Sequence, residues 1–334
     1  LYGWNTDYMG FAHLCRSRGV AFAGRTVLIL GTGGTHNTAA AVARDEGAAR
    51  VLTASRRPDP SKGWISYKEA AQSGAQVVIN TTPAGMYPDV GQCLLDVAAM
   101  PGLEAVVDVV YNPARTELLL RAEEAGVPVT ACGLEMLVAQ AVWAAEYFLD
   151  KPFADREGEI CRSAADLRRD ILNVSLVGMP SSGKTTLGRA LAAALGRPFV
   201  DLDEEIVRAD GRSIPEIFAA EGEDGFRARE TEQVRRFGKE SGLLISCGGG
   251  VVTRPENVRA LRQNGLVLFV DRPLEALAVG GGRPLSSSPE ALRAMEAERR
   301  PLYEKAADAV IRNDGTAEDA AARALQALNE LFAQ

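Results

Sequence analysis

The run Gly178-Met-Pro-Ser-Ser-Gly183-Lys184-Thr185 constrains this chain more than any other feature. It satisfies the pattern G-x-x-x-x-G-K-[ST] in full, between a strand-forming stretch (NVSLV) and a helix-forming one (TTLGRALAAAL). Such a loop turns backbone N–H groups and a helix N-terminus towards phosphate oxygens. The segment therefore predicts an α/β domain with a parallel sheet and a nucleotide site. In that setting Lys184 reaches the β- and γ-phosphates and Thr185 ligates Mg²⁺. A chance glycine turn would leave the strand and the helix around it unexplained.

The residues that follow narrow the chemistry. Asp201 and Asp203 close the next strand stretch, where alternate positions share a face, so both carboxylates should aim at the phosphate site. Phosphoryl transfer uses one such group near the metal and one near the acceptor hydroxyl. The plainer alternative is an acidic pair capping a helix. Arg227 stands in GFRARE, Gly248-Gly249-Gly250 follows LLISC, Arg283 stands in GGGRPL and Arg299 in ERRPLY. Taken singly, each arginine reads as a solvated surface charge. Consecutive glycines after a buried-type strand let backbone approach a ligand closely.

Together these segments resemble the shikimate kinase family. The resemblance runs from about Asn173 to the C-terminus, on GMPSSGKTT, DLDEEI, GRSIPEIFAAEGEDGFRARE, SCGGGVV, RPL and RRPLY in order. It implies ATP-dependent phosphorylation of the shikimate 3-hydroxyl. By that resemblance Gly178, Ser181, Ser182, Gly183, Lys184, Thr185 and Thr186 hold ATP, and Thr185 and Asp201 serve Mg²⁺. Asp203 would orient and help deprotonate the attacking hydroxyl. Arg227 and Arg299 would grip the shikimate carboxylate, and Gly248, Gly249 and Gly250 would line the same pocket. Arg283, on a mobile lid hinged at Gly280-Gly281-Gly282, would cover the transferring phosphoryl group. The stretch LEALAVGGG departs from the family in lacking a basic residue to stack on adenine, and the lid RPLSSSPEA is short.

The first half carries a different glycine loop. Val27–Leu30 leads into Gly31-Thr-Gly33-Gly34-Thr-His36-Asn-Thr, the order expected of a dinucleotide fold, with His36 at the third fingerprint position. Ser55-Arg56-Arg57 follows the second strand stretch, where an acidic residue would suit NAD and arginines suit the 2′-phosphate of NADP. The plainer reading is that these arginines solvate a loop. With Asn5-Thr6-Asp7, NTTPAGM, YNPARTELL and GLEMLVAQA, residues 1 to about 150 resemble the NADP-binding half of shikimate dehydrogenase. The resemblance implies that Asp7 belongs to a catalytic Lys–Asp pair and that Tyr111 and Gln140 contact shikimate. Asn80, Thr81, Met86 and Gly133 would lie near the cofactor. The paired lysine belongs to an upstream substrate domain, and Lys62 and Lys68, which follow the fingerprint, cannot be assigned its role. Hydride transfer needs the ketone held and protonated, so a half-site should bind NADP yet reduce 3-dehydroshikimate poorly.

Composition sets the frame. A chain of 334 residues, 46% hydrophobic and 24% charged, suits two globular domains. Strand-type runs at Thr26–Leu30, Arg50–Ala54, Val77–Asn80, 105–110 and 128–131 alternate with helical patterns; so do Asn173–Val177, Phe199–Asp201, 243–246, 267–270 and 309–311. The expectation is a Rossmann-like domain over 1–150, a charged linker with some helix over 151–170, and a P-loop kinase domain over 171–334, as α/β/α layers. A net charge of −7 argues against nucleic-acid or anionic-membrane binding. Five scattered cysteines and two isolated histidines fit a reducing cytoplasm and no structural zinc. Self-association is left open. The leading expectation is two consecutive enzymes of aromatic biosynthesis fused in one chain, acting on 3-dehydroshikimate and shikimate. A second is a working kinase carrying a non-catalytic binding or oligomerisation module. A third, a P-loop switch, has no use for Arg227, Arg299 and the three glycines.

Overall fold

The computed structural model describes residues 3–277 and 288–333; Arg283 and its glycine hinge lie outside the described residues. Proximity of Cα atoms divides the chain into units of residues 1–164 and 165–334. The first unit runs α1 (Thr6–Ser17), β1 (Thr26–Leu30), α2 (Gly34–Asp45), β2 (Arg50–Ala54), β3 (Trp64–Ile65), α3 (Tyr67–Ala70), β4 (Val77–Asn80), β5 (Ala105–Asp108), α4 (Glu117–Glu124), β6 (Val129–Cys132) and α5 (Leu134–Leu149). Its strands pair in parallel in the order β3-β2-β1-β4-β5-β6. β4 and β5 are buried throughout, because helices cover both sheet faces and remove the in–out alternation of a half-exposed sheet. Alternate residues still part to opposite faces. Val27, Ile29, Val77 and Val107 join Phe11, Leu14 and Val42, whereas Leu28, Val78 and Val106 join Leu118 and Leu119. β3 has two residues, too few for a pattern to show in the sequence.

Most of the segment expected as a linker with some helix, 151–170, belongs to one helix, α6 (Arg156–Ile171), and the division between units falls inside it. Its charges stand at helical spacing, as in the Arg162–Glu159 pair at 2.9 Å, while Ile160 and Ala164, four apart, are buried. The second unit continues with β7 (Asn173–Val177), α7 (Lys184–Leu195), β8 (Phe199–Asp201), α8 (Leu202–Asp210), α9 (Ile214–Phe237), β9 (Leu244–Ser246), α10 (Pro255–Gln263), β10 (Gly265–Asp271), α11 (Pro289–Ala306), β11 (Ala309–Arg312) and α12 (Ala317–Phe332). The parallel order is β11-β10-β7-β9-β8. Val177, Ile245, Val267 and Phe269 pack with Val234, Met295 and Tyr303 on one face. Both units are therefore parallel α/β folds.

In each sheet the strand that feeds a glycine loop lies between neighbours on opposite sides of a chain reversal. β1 stands between β2 and β4, and β7 between β9 and β10. Crevices outside the carboxyl ends of strands at such points are where α/β sheets take ligands. Among the described residues no helix is long and apolar enough to cross a membrane.

Candidate active sites

α7 begins on Gly183, at φ 93°, with no side chain capping it. Its first N–H groups are thus left to the loop Gly178–Gly183 and whatever sits over it. The Lys184 ammonium is buried and donates to the loop's own carbonyls, Gly178 O at 2.9 Å and Met179 O at 2.8 Å. Thr185 Oγ1 donates to Asp201 Oδ2 at 2.9 Å. Asn313 Nδ2 fixes the loop from behind by donating to Ser182 O at 2.7 Å.

One strand-face expectation fails. β8 ends at Asp201, which caps α8 with Oδ1 accepting from the Asp203 N–H at 3.1 Å, so Asp203 stands in the first helical turn. The capping alternative is therefore correct locally, yet both residues still face one cavity of about 660 Å³. That cavity also takes Ser181, Gly183, Lys184, Thr185 and Thr186 from the loop, together with Arg227, Arg299 and Gly248–Gly250. Gly178 and Ser182 support the loop without being among its lining residues.

Arg227 and Arg299 are not surface charges: they are 5% and 6% exposed. Arg227 Nη1 donates to Glu230 Oε2 at 2.8 Å, and its Nη2 donates to Glu223 Oε1 at 3.0 Å. Arg299 Nε has no hydrogen-bond partner among the described residues, and neither does Glu230 Oε1. Burial lifts the Glu230 carboxyl above its ordinary range, with the Arg227 charge opposing. The three glycines follow from this crowding. A Cβ on Gly250 would stand 2.0 Å from Arg227 Nη2. The apolar wall, Phe218 and Phe226 with ring centroids 5.0 Å apart, lies on α9 and was not singled out from sequence. Glu230 was also missed, although its position three residues after Arg227 on a helix is a pairing signal.

In the first unit a cavity of about 720 Å³ opens where β1, β2 and β4 end. Gly31, Gly33, Ser55, Arg56, Arg57 and Thr81 line it. Trp64, Tyr67, Thr82 and Gln92 do so as well; Thr82 belongs to the NTTPAGM segment, whereas Trp64 on the short β3, Tyr67 at the start of α3 and Gln92 in a loop carried no motif. α2 starts after Gly33 with no side-chain cap. Gly34, Asn80, Met86 and Gly133 are not among the lining residues. Asn80 is buried beneath, donating to Asp108 Oδ1 at 2.9 Å. Gly133 is where backbone crosses backbone: a Cβ there would stand 2.0 Å from Val109 O. His36 sits on the first turn of α2, its Nε2 2.8 Å from Thr53 Oγ1. Asp7 Oδ1 accepts from Gln140 Nε2 at 2.7 Å, and Tyr111 is exposed.

A P-loop with a carboxylate beside its threonine, opening on a second compartment of buried arginines, defines a small-molecule kinase. The shikimate kinase profile matches residues 180–329. The shikimate kinase of Symbiobacterium thermophilum is 46% identical over 169 residues, 48% of this chain and 97% of that protein. The chain belongs to the shikimate kinase family, and its second unit is a phosphotransferase. Among solved structures, an Acinetobacter baumannii shikimate kinase in complex with shikimate is 37% identical, covering 50% of this chain and 98% of that one, with a TM-score of 0.48. The first half is similar to shikimate dehydrogenase 1 of Peptoclostridium difficile, with 30% identity, 50% of this chain covered and a TM-score of 0.46. The match spans 62% of that dehydrogenase.

Proposed function

We propose that the second unit transfers the γ-phosphoryl group of ATP to the 3-hydroxyl of shikimate. The observation that carries this is one cavity joining the P-loop, Asp201 and Asp203 to buried Arg227 and Arg299. A carboxylated acceptor suits the partnerless Arg299 Nε, since an arginine in low dielectric gains most from a bidentate anion. Lys184 leaves the loop carbonyls to meet the β- and γ-phosphates. Asp203 takes the proton of the attacking hydroxyl as its oxygen bonds to phosphorus and the bond to the ADP oxygen breaks.

The residues present fit Mg²⁺ arriving with the nucleotide. Thr185 and Asp201 offer two hard oxygens 2.9 Å apart, and among the described residues no group of three or more His, Cys, Asp or Glu side chains could hold an ion by itself. Bound there, the ion would draw charge from the phosphate oxygens. Gly178, Ser181, Ser182 and Thr186 complete the ATP cradle, and Gly248–Gly250 meet the acceptor through backbone. The part given to Arg283 lies outside the described residues. Shikimate added to the full chain should stimulate ATP consumption, while gluconate and nucleoside monophosphates should not. The reverse pattern would move the chain to another acceptor.

The first unit, in this reading, binds NADP through the Gly31–Gly34 loop with Arg56 and Arg57 on the 2′-phosphate. The uncapped α2 N-terminus and the two arginines at one cavity fit that group. Asp7, Tyr111 and Gln140 form part of a shikimate dehydrogenase site that handles the preceding reduction. The 334-residue chain alone should bind NADPH saturably while turning over 3-dehydroshikimate slowly. Absence of binding in a fluorescence titration would leave the non-catalytic module.

A further inference from the structure

Helix α11 brings two buried residues to one face, Arg299 and, four positions on, Tyr303. Tyr303 is fully buried, and its ring stacks on Phe269 of β10 with centroids 5.1 Å apart. A phenylalanine would fill that space equally well. The hydroxyl is therefore the part to explain, and it donates to the carbonyl of Gly249, the middle of the three glycines. It also stands 3.9 Å from Met179 Sδ in the P-loop. On its other side Gly249 rests against Pro180, so closely that a Cβ would lie 2.8 Å from the proline ring. The glycine segment is thus held between the P-loop and a single phenol. Arg299 acts on that same phenol by charge and hydrogen bond, while burial keeps it in its protonated, donating form.

We propose that Tyr303 is a positioning residue for the phosphoryl acceptor. Its hydroxyl sets Gly248–Gly250 against Arg299, so that backbone and guanidinium meet the acceptor's carboxylate and ring at one fixed spacing. The inference rests on the acceptor reading of this cavity given above. Without the hydroxyl the Gly249 carbonyl loses its donor and the segment is free to shift, but the P-loop retains its other ties through Lys184 and Asn313. Binding of the acceptor should suffer and nucleotide handling should not.

The test is steady-state phosphorylation of shikimate by the full chain and its Tyr303→Phe variant. KM for shikimate should rise by roughly 5- to 20-fold, the range expected for one lost buried hydrogen bond, with KM for ATP and kcat within about twofold. Phe269→Leu is the control, because it loosens the packing around the ring and leaves the hydroxyl. It should lower the melting temperature with little change in KM for shikimate. Tyr303→Phe with an unchanged KM for shikimate overturns the proposal, and so does a Phe269→Leu variant that raises KM as much. If the unmodified chain shows no shikimate-dependent turnover, the acceptor reading falls and the proposal with it, a result distinct from either.

Discussion

The two glycine loops use one backbone device and differ in what surrounds it. Each joins a buried parallel strand to a helix of 12 residues that starts on glycine without a side-chain cap. α1, α4, α9 and α12, by contrast, are capped by Asn5, Thr116, Ser213 and Thr316. With glycine at the cap position, a start without a side-chain cap costs only a few tenths of a kcal/mol, and in both units a cavity opens above it. The surroundings separate the two. The second loop carries its own cation, Lys184, and sets Thr185 against the carboxylate of Asp201. The first has no lysine within the loop; its cations, Arg56 and Arg57, come from the end of the neighbouring strand. In the function proposed above, one arrangement polarises phosphates that react, and the other marks a phosphate that only identifies its carrier.

The strongest way to break this contrast is to remove the cation from each loop. Lys184→Ala should lower phosphoryl transfer by at least about 10³-fold, because the charge acts on the reacting phosphates. Asp203→Ala should do the same while leaving ATP binding largely intact. Near-normal turnover of either in a coupled ATPase assay would end the assignment of that cavity to transfer. Arg56→Glu in the other unit should act on binding alone. A like charge facing the 2′-phosphate should weaken NADP by about 10- to 100-fold and NAD by far less. Equal losses for both cofactors, measured by fluorescence titration, would remove the distinction between a reacting and an identifying phosphate.

How much of this was legible varies with the range of the interaction. β1, β2, β4, β7 and β8 agree with the sequence to the residue, because runs such as VVIN and NVSLV are apolar for a local reason. The loops are legible too, since glycine spacing is a local signal. Asp203 was assigned to a strand although it stands in a helix, because an acidic pair after a strand serves either geometry. The burial of Arg227 and Arg299 could not be read from the residues alone. For Arg227 it depends on Glu230, Glu223 and Gly250 converging from α9 and the β9 loop. Cavity walls such as Trp64 and Tyr67 were missed for the same reason: they arrive from a two-residue strand and a four-residue helix, too short to show periodicity.

The finest comparison concerns the buried carboxylate near each site: Glu230 faces the Arg227 guanidinium, whereas Asp108 is held by neutral donors. Asp108 ends β5 fully buried, accepting from Asn80 Nδ2 at 2.9 Å, Val110 N–H at 3.0 Å and Thr116 Oγ1 at 2.7 Å. It ties the loop after β4, which lines the first unit's cavity, to the loop that carries Tyr111. Burial pushes its carboxyl up to about 7, although the three hydrogen bonds oppose this. A folded value above the unfolded one of 3.8 means that the folded state holds the extra proton between those limits. Its stabilising contribution is therefore complete below about pH 4 and is lost as pH rises through about 7, at a slope of up to about 1.4 kcal/mol per unit. Asp108→Asn has no such titration. Chemical unfolding of both proteins from pH 5 to 8 should show the wild-type chain losing ground to the variant as pH rises. A gap that stays constant, or widens in favour of the wild type, would mean that the three donors outweigh burial and that the carboxylate is charged throughout.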